Sequence, residues 1–175
     1  PYPGSSPDIA GPPDHLPPVV GSPAVSTRSA ASLALDVKRS QVVVEVLASV
    51  AHAPIRNRGT VVGNLVHADP ASELPALFLC LDGAITVRRK EGERAIAADH
   101  LYVAPLTTSL RSDELATAAR FTLPSPGAGW GFAEVARRHG DFALVGCAAV
   151  LALDGAGAVS HARLGFFGVG GTPIR

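Results

Sequence analysis

The apolar positions fall first at helical spacing and then at strand spacing. Val37, Val42, Val43, Val44, Val46, Leu47, Val50 and Ala51 recur about every three to four residues and predict a helix that ends before Pro54. Its β-branched residues lower the intrinsic helix preference, so packing must supply the stability. A stretch rich in Gly and Asn follows, Asn57 to Asn64, and predicts a tight turn with exposed backbone N–H groups. Ser72 stands before an apolar run that predicts a helix from Glu73 to Leu81, with Pro75 tolerated in its first turn and Asp82-Gly83 as the stop. Beyond Gly83 the pattern shortens toward a period of two. Ala84–Arg89 and Arg94–Ala97 flank the polar Lys90–Glu93 and predict a hairpin. Ala98–Leu101 reads as a short helical piece, and Leu115–Leu123 as a strand. Trp130–Ala136, Leu144–Leu153 and Val159–Val169 read as three more strands, with Asp154–Gly157 turning between the last two. Helices followed by strands predict a mixed α/β chain of the α+β class.

The first 36 residues break this pattern. Eight of the fifteen prolines lie there, among much Ser and Gly, and predict an extended or disordered leader over 1–36. Pro124–Gly129 reads as a linker, so the expected divisions are 1–36, 37–125 and 126–175. The 47% apolar content of the 175 residues supports a real core, filled by Ala, Val and Leu because aromatics are only 5%. A formal net charge of zero argues against a general nucleic-acid or anionic-membrane binder. Cys80 and Cys147 sit in apolar runs without metal or redox spacing and read as free thiols in a reducing, cytoplasmic compartment. The longest apolar run, Phe142–Leu153, is about half a membrane span, and no signal peptide is visible. The absence of methionine leads us to expect that the first residue is not a natural start and that both ends are cut.

The candidate chemistry lies in the segment from Ile55 to Pro75, IRNRGTVVGNLVHADPASELP. Exposed amides next to a helix start suit an anion such as a phosphate. No Gly-Lys-Ser/Thr follows, and Gly-x-Gly-x-x-Gly is missing, so this is neither a Walker nor a Rossmann loop. Two further motifs stand downstream: ARRHGDFALVG over 136–146 and GVGGTPIR over 168–175. In this order the three motifs resemble the FAD-binding subunit of the molybdenum hydroxylases, the family of the medium subunit of aerobic carbon monoxide dehydrogenase and the flavin domain of xanthine dehydrogenase. The resemblance covers about Val37 to Arg175. It implies the second half of a two-subdomain flavin-binding domain, followed by the start of a small β-sheet module.

The resemblance implies FAD as cofactor, with Thr60, Val61, Val62, Gly63 and Asn64 opposing the flavin diphosphate. Thr60 would donate its hydroxyl, and Gly63 would permit close backbone approach. The family's usual pattern is Thr-Ile-Gly-Gly-Asn; here Val62 replaces the first of the paired glycines. A β-branched residue resists positive φ, at a cost on the order of 1–3 kcal/mol if the loop requires it. Glu73 stands where the family commonly places an acid near the ribityl or ribose hydroxyls; from the residues alone it reads equally as an acid favourable to a helix N-terminus. Arg56 and Arg58 read as phosphate neutralisers or as a solvated face, Asp69 as the cap of a turn before Pro70, and Asp141 as a turn-fixing residue. No His, Cys or carboxylate group has metal-ligand spacing, and no nucleophile elbow is present. The family's other loop, Ala-Gly-Gly-x-Ser, has no counterpart in the leader.

The resemblance further implies an oxidoreductase component without catalytic residues of its own. Electrons would come from the iron–sulfur clusters of a small subunit, fed by a molybdopterin-containing large subunit, and leave FAD for an external acceptor. Leu101–Leu110 and the C-terminal sheet, expected to lie uncovered on its apolar face, would suit partner contacts. The alternative is a flavin-free remnant that acts only as a docking module.

Overall fold

The computed structural model describes residues 41–175 and the two-residue strand β1, Val25–Ser26. The remainder of the 1–36 leader lies outside the described residues. Among the described residues four α-helices follow β1: α1 (Gln41–Ser49), α2 (Ala53–Arg56), α3 (Val61–His67) and α4 (Glu73–Cys80). Eight strands follow: β2 (Ala84–Arg89), β3 (Gly92–Ala97), β4 (Tyr102–Ala104), β5 (Thr107–Thr108), β6 (Leu115–Arg120), β7 (Gly129–Ala136), β8 (Ala143–Leu153) and β9 (Val159–Phe167). They build an antiparallel sheet in the order β1-β6-β2-β3, a second in the order β7-β8-β9, and a small β4-β5 ladder. Val25 and Ser26 pair with Ala119 and Ala118, so this part of the Pro-rich stretch is built into the first sheet.

The fold centres on α4. All eight of its residues are buried, as a helix apolar on every side must be. It packs on β8 and β9 on one side and on α1 and α3 on another. Gly165 of β9 lets it approach: a Cβ there would run into the Ala76 carbonyl. Phe78 of α4 meets Phe121 edge to face, with ring centroids 5.2 Å apart, and Phe132 stacks on Phe167 at 6.0 Å. One core thus runs from Val42, Val43 and Val46 through Leu65, Leu77 and Phe78 to Ile85, Ala119, Ala148 and Val150. It joins the first sheet to the second across the Pro124–Gly129 stretch. The expected uncovered sheet is therefore open on one face only: β8 turns Ala148 and Val150 inward and leaves Leu151 and Leu153 exposed.

The elements follow the sequence patterns closely, with three corrections. The Gly59–Asn64 stretch is not an irregular loop, because Thr60 caps a helix that already begins at Val61. Pro54 does not merely stop the first helix; it occupies the first turn of α2, where its missing N–H costs nothing. Leu101–Leu110 is not a plain apolar surface. Leu101 is buried in the core, and the segment folds as the β4-β5 ladder, which leaves Val103 and Leu106 exposed.

Candidate functional site

Thr60 decides the shape of the site. Its extended backbone (φ −121, ψ 152) ends the preceding segment, and its Oγ1 accepts a hydrogen bond from the Gly63 amide at 2.9 Å. The Asn64 amide bonds the Thr60 carbonyl at 3.0 Å, which closes the first turn of α3. Gly63 is required for this cap, because a Cβ there would stand 2.8 Å from Thr60 Oγ1. The amides of Val61 and Val62 have no acceptor among the described residues. Both valine side chains enter the core, so only their backbone is offered outward. Val62 has no positive φ, and its replacement of a glycine is therefore unstrained.

The polar ends of α3 and α4 meet. Ser72 Oγ donates to Asn64 Oδ1 at 3.0 Å, tying the predicted loop residues to the start of α4. Asp69 caps the intervening turn as expected, its Oδ1 accepting from the Ala71 amide at 2.9 Å. Glu73, the next residue, is only 5% exposed and has no cation partner among the described residues. Burial raises its pKa to about 7, opposed by a bond from its own backbone amide and reinforced by the fields of Glu134 and Asp69.

Two adjoining grooves run along α3. The smaller, about 80 Å³, is lined by Gly59, Thr60, Val61, Asn64 and Arg56 among others. The larger, about 250 Å³, is lined by Asn64, His67, Asp69, Ser72, Glu73 and the Gly140–Phe142 turn. Val50, Ile55 and Asn64 border both. Of the six residues singled out from sequence, Thr60, Val61 and Asn64 line the smaller groove, and Asn64 and Glu73 the larger. Val62 and Gly63 belong to the same helical turn without lining either groove. Arg56 is not a free cation: its guanidinium bonds the Val50 carbonyl at 2.9 Å and that of Ala51 at 2.5 Å. Arg58 is exposed. Sequence reasoning passed over Ser72 as a link to Asn64, the Gly140–Phe142 turn as a groove wall, and Glu134. The period-two pattern of β7 held the last signal, since Trp130, Phe132 and Glu134 share its inward face. Among the described residues no group of three or more potential metal ligands converges.

A mixed helix and sheet domain, with unfilled amides at a capped helix start beside a groove, has the features of an anion- or nucleotide-binding module. Two family descriptions match in chain order: the FAD binding domain in molybdopterin dehydrogenase over residues 20–126, and the CO dehydrogenase flavoprotein C-terminal domain over residues 130–175. The chain belongs to the family of FAD-binding medium subunits of the molybdenum hydroxylases, whose cofactor is FAD. It is 42% identical over 132 residues to the caffeine dehydrogenase subunit beta of Pseudomonas sp. (strain CBB1), which covers 75% of this chain and 44% of that protein. It is 47% identical over 102 residues to the nicotine 6-hydroxylase medium subunit of Paenarthrobacter nicotinovorans, covering 58% of this chain and 35% of the relative. Among solved structures, carbon monoxide dehydrogenase from Hydrogenophaga pseudoflava superposes with a TM-score of 0.78 at 30% identity, covering 82% of this chain and 50% of that one. Quinoline 2-oxidoreductase from Pseudomonas putida 86 gives 0.72 at 34% identity, over 78% and 47%. The chain thus spans about half the length or less of the relatives it matches.

Proposed function

We propose that this chain is part of the flavin subunit of a molybdenum hydroxylase-type oxidoreductase, and that it holds FAD along the start of α3. The observation that carries the reading is the first turn of that helix. The Val61 and Val62 amides have no acceptor among the described residues, the Thr60 hydroxyl lies beside them, and Gly63 keeps a side chain out of the way. Amides and a hydroxyl at a helix start fit a diphosphate. Asn64, fixed by Ser72, and Glu73 extend the polar wall toward the larger groove, where ribityl or ribose hydroxyls would find acceptors. When bound, FAD supplies the electron-carrying chemistry; the protein orients it and sets its surroundings.

In this reading the partners are a molybdopterin-containing large subunit and an iron–sulfur small subunit, with electrons leaving for an external acceptor. No described helix is long and apolar enough to cross a membrane, and we place the complex in the cytoplasm. The test is reconstitution of the purified 175-residue chain with FAD, read by flavin absorbance and fluorescence quenching. Stoichiometric binding is expected. Thr60→Ala should weaken it about tenfold or more, since one charge-assisted bond contributes about 1.5–3 kcal/mol. A colourless protein that ignores added FAD would overturn the reading and leave the flavin-free docking module.

A further inference from the structure

The GVGGTPIR stretch over 168–175 lines neither groove, yet three of its residues grip the elements that do. The chain leaves β9 at Phe167, turns, and comes back so that Ile174 pairs with Phe166 through bonds of 2.7 and 3.0 Å. Inside this loop the Gly168 amide donates to the Pro70 carbonyl at 2.8 Å, in the turn between α3 and α4. Gly168 stands at φ 72, and a Cβ there would meet the Leu144 carbonyl at 2.6 Å, so the position requires glycine. Gly171 lies against the tip of the β4-β5 ladder, where a Cβ would stand 3.2 Å from the Pro105 ring. The next residue of that tip, Leu106, donates its amide to the Ala68 carbonyl at 3.0 Å. Arg175 acts at the other end of α4. Its guanidinium donates to the Leu79 carbonyl at 3.3 Å, to Asp99 at 2.6 Å and to Asp82. Arg163 of β9 bonds the same Asp82 at 3.4 Å.

The loop therefore holds α4 at both ends. Before its start lies the Ala68–Ser72 turn, gripped at Pro70 directly and at Ala68 through the β4-β5 tip. Asp69 and Ser72 of that turn, and Glu73 behind it, line the larger groove. We propose that residues 168–175 are a strap that sets the polar wall of the cofactor groove, with Gly168 and Arg175 as positioning residues that do not touch the cofactor. The identity of the ligand rests on the FAD reading above; the geometry of the strap does not. Ala68 is left-handed at φ 56, a conformation that alanine keeps only where its neighbours hold it there. Releasing the strap lets the turn relax, which shifts Ser72 against Asn64 and Glu73 against the groove. A displacement of about 1 Å in a binding wall costs on the order of tenfold in affinity or more. The second sheet thus acts on the site through main-chain contacts as well as through its Gly140–Phe142 turn.

Two measurements on the full 175-residue chain decide this. Titration with FAD, read by quenching of flavin fluorescence, should show Kd rising about tenfold in Gly168→Ala and about threefold to fivefold in Arg175→Gln. Arg175→Lys, which keeps the charge but not the forked geometry, should fall between the parent and Arg175→Gln. Glu114→Gln, which loosens the first sheet away from the strap, should bind FAD as the parent does. An equal loss in that variant would make the strap a general stabiliser and overturn the proposal. Amide hydrogen exchange of the flavin-free chain gives a readout that needs no ligand. The Ser72 and Leu106 amides, bonded to the Asp69 and Ala68 carbonyls, should exchange about tenfold faster in Arg175→Gln, with the β2-β3 amides unchanged. Unchanged exchange at Ser72 and Leu106 overturns the strap, and so does equal FAD affinity in the parent, Gly168→Ala and Arg175→Gln. Should Gly168→Ala fail to fold, Arg175→Gln decides alone. A parent chain that ignores FAD, with exchange still faster in Arg175→Gln, overturns the cofactor reading and supports the strap, so the two failures are distinguishable.

Discussion

Two carboxyl groups behave in opposite ways, and their surroundings explain why. The Glu114 side chain, before β6, is 1% exposed, and the Arg94 guanidinium grips it with bonds of 2.6 and 2.8 Å. The Arg111 amide adds a third at 2.9 Å, and these contacts pull its pKa down to about 2. Glu73, at the groove, has no such clamp among the described residues, and burial pushes it up to about 7. The hairpin sheet spends its carboxylate on closing structure. The groove keeps an unstable charge next to open space, a pattern that recurs where a site must respond to what enters it.

The largest expected effect comes from Glu73. Its folded pKa lies above the unfolded value, so its contribution is fully present below about pH 4.5 and is lost as pH rises through about 7. At pH 8 the buried charge should cost the parent protein about 3 kcal/mol, and Glu73→Gln should recover much of it, measured by urea unfolding. A variant no more stable than the parent at that pH would remove the contrast. Glu114 should show the reverse sign. Its depressed pKa stabilises the fold above about pH 4.5, and that contribution is lost as pH falls through about 2. Glu114→Gln should cost about 1–2 kcal/mol at pH 7, since Arg94 is partly exposed, and progressively less on acidification. Thermal melts across pH 2–7 would sharpen or break this half of the comparison. The smallest effect is the control. Arg88 and Glu93 pair at 2.9 Å across the hairpin but are open to solvent, and Arg88→Ala should change stability by less than about 0.5 kcal/mol, and less still in high salt.

The same contrast runs through what could be read in advance. The hairpin was legible because β2 and β3 alternate locally and join by a short polar turn; the strands pair from Ala84↔Ala97 to Arg89↔Gly92. The helix of the groove was legible at its cap and its stop: Ser72 precedes it, and Asp82, in the left-handed region at φ 43, follows it. α3 was hidden. Val61, Val62 and Gly63 are poor helix formers, and packing of the valines against the core, not their propensity, makes them helical. The β4-β5 ladder was hidden as well, because strands of three and two residues carry no period.

The sequence by itself determined the order of helices and strands, the α+β class and the three motifs that mark the family, since each is written in neighbouring residues. Tertiary structure alone decided that α4 lies between the β7-β8-β9 sheet and the helices α1 and α3, that Ser72 at the start of α4 bonds Asn64 of α3, and that Glu73 is buried in the wall of the larger groove while Glu114 is held by Arg94. Burial and electrostatic coupling are properties of which segments meet, and a carboxyl group has the same letter in the sequence whether it ends beside an arginine or beside another acid.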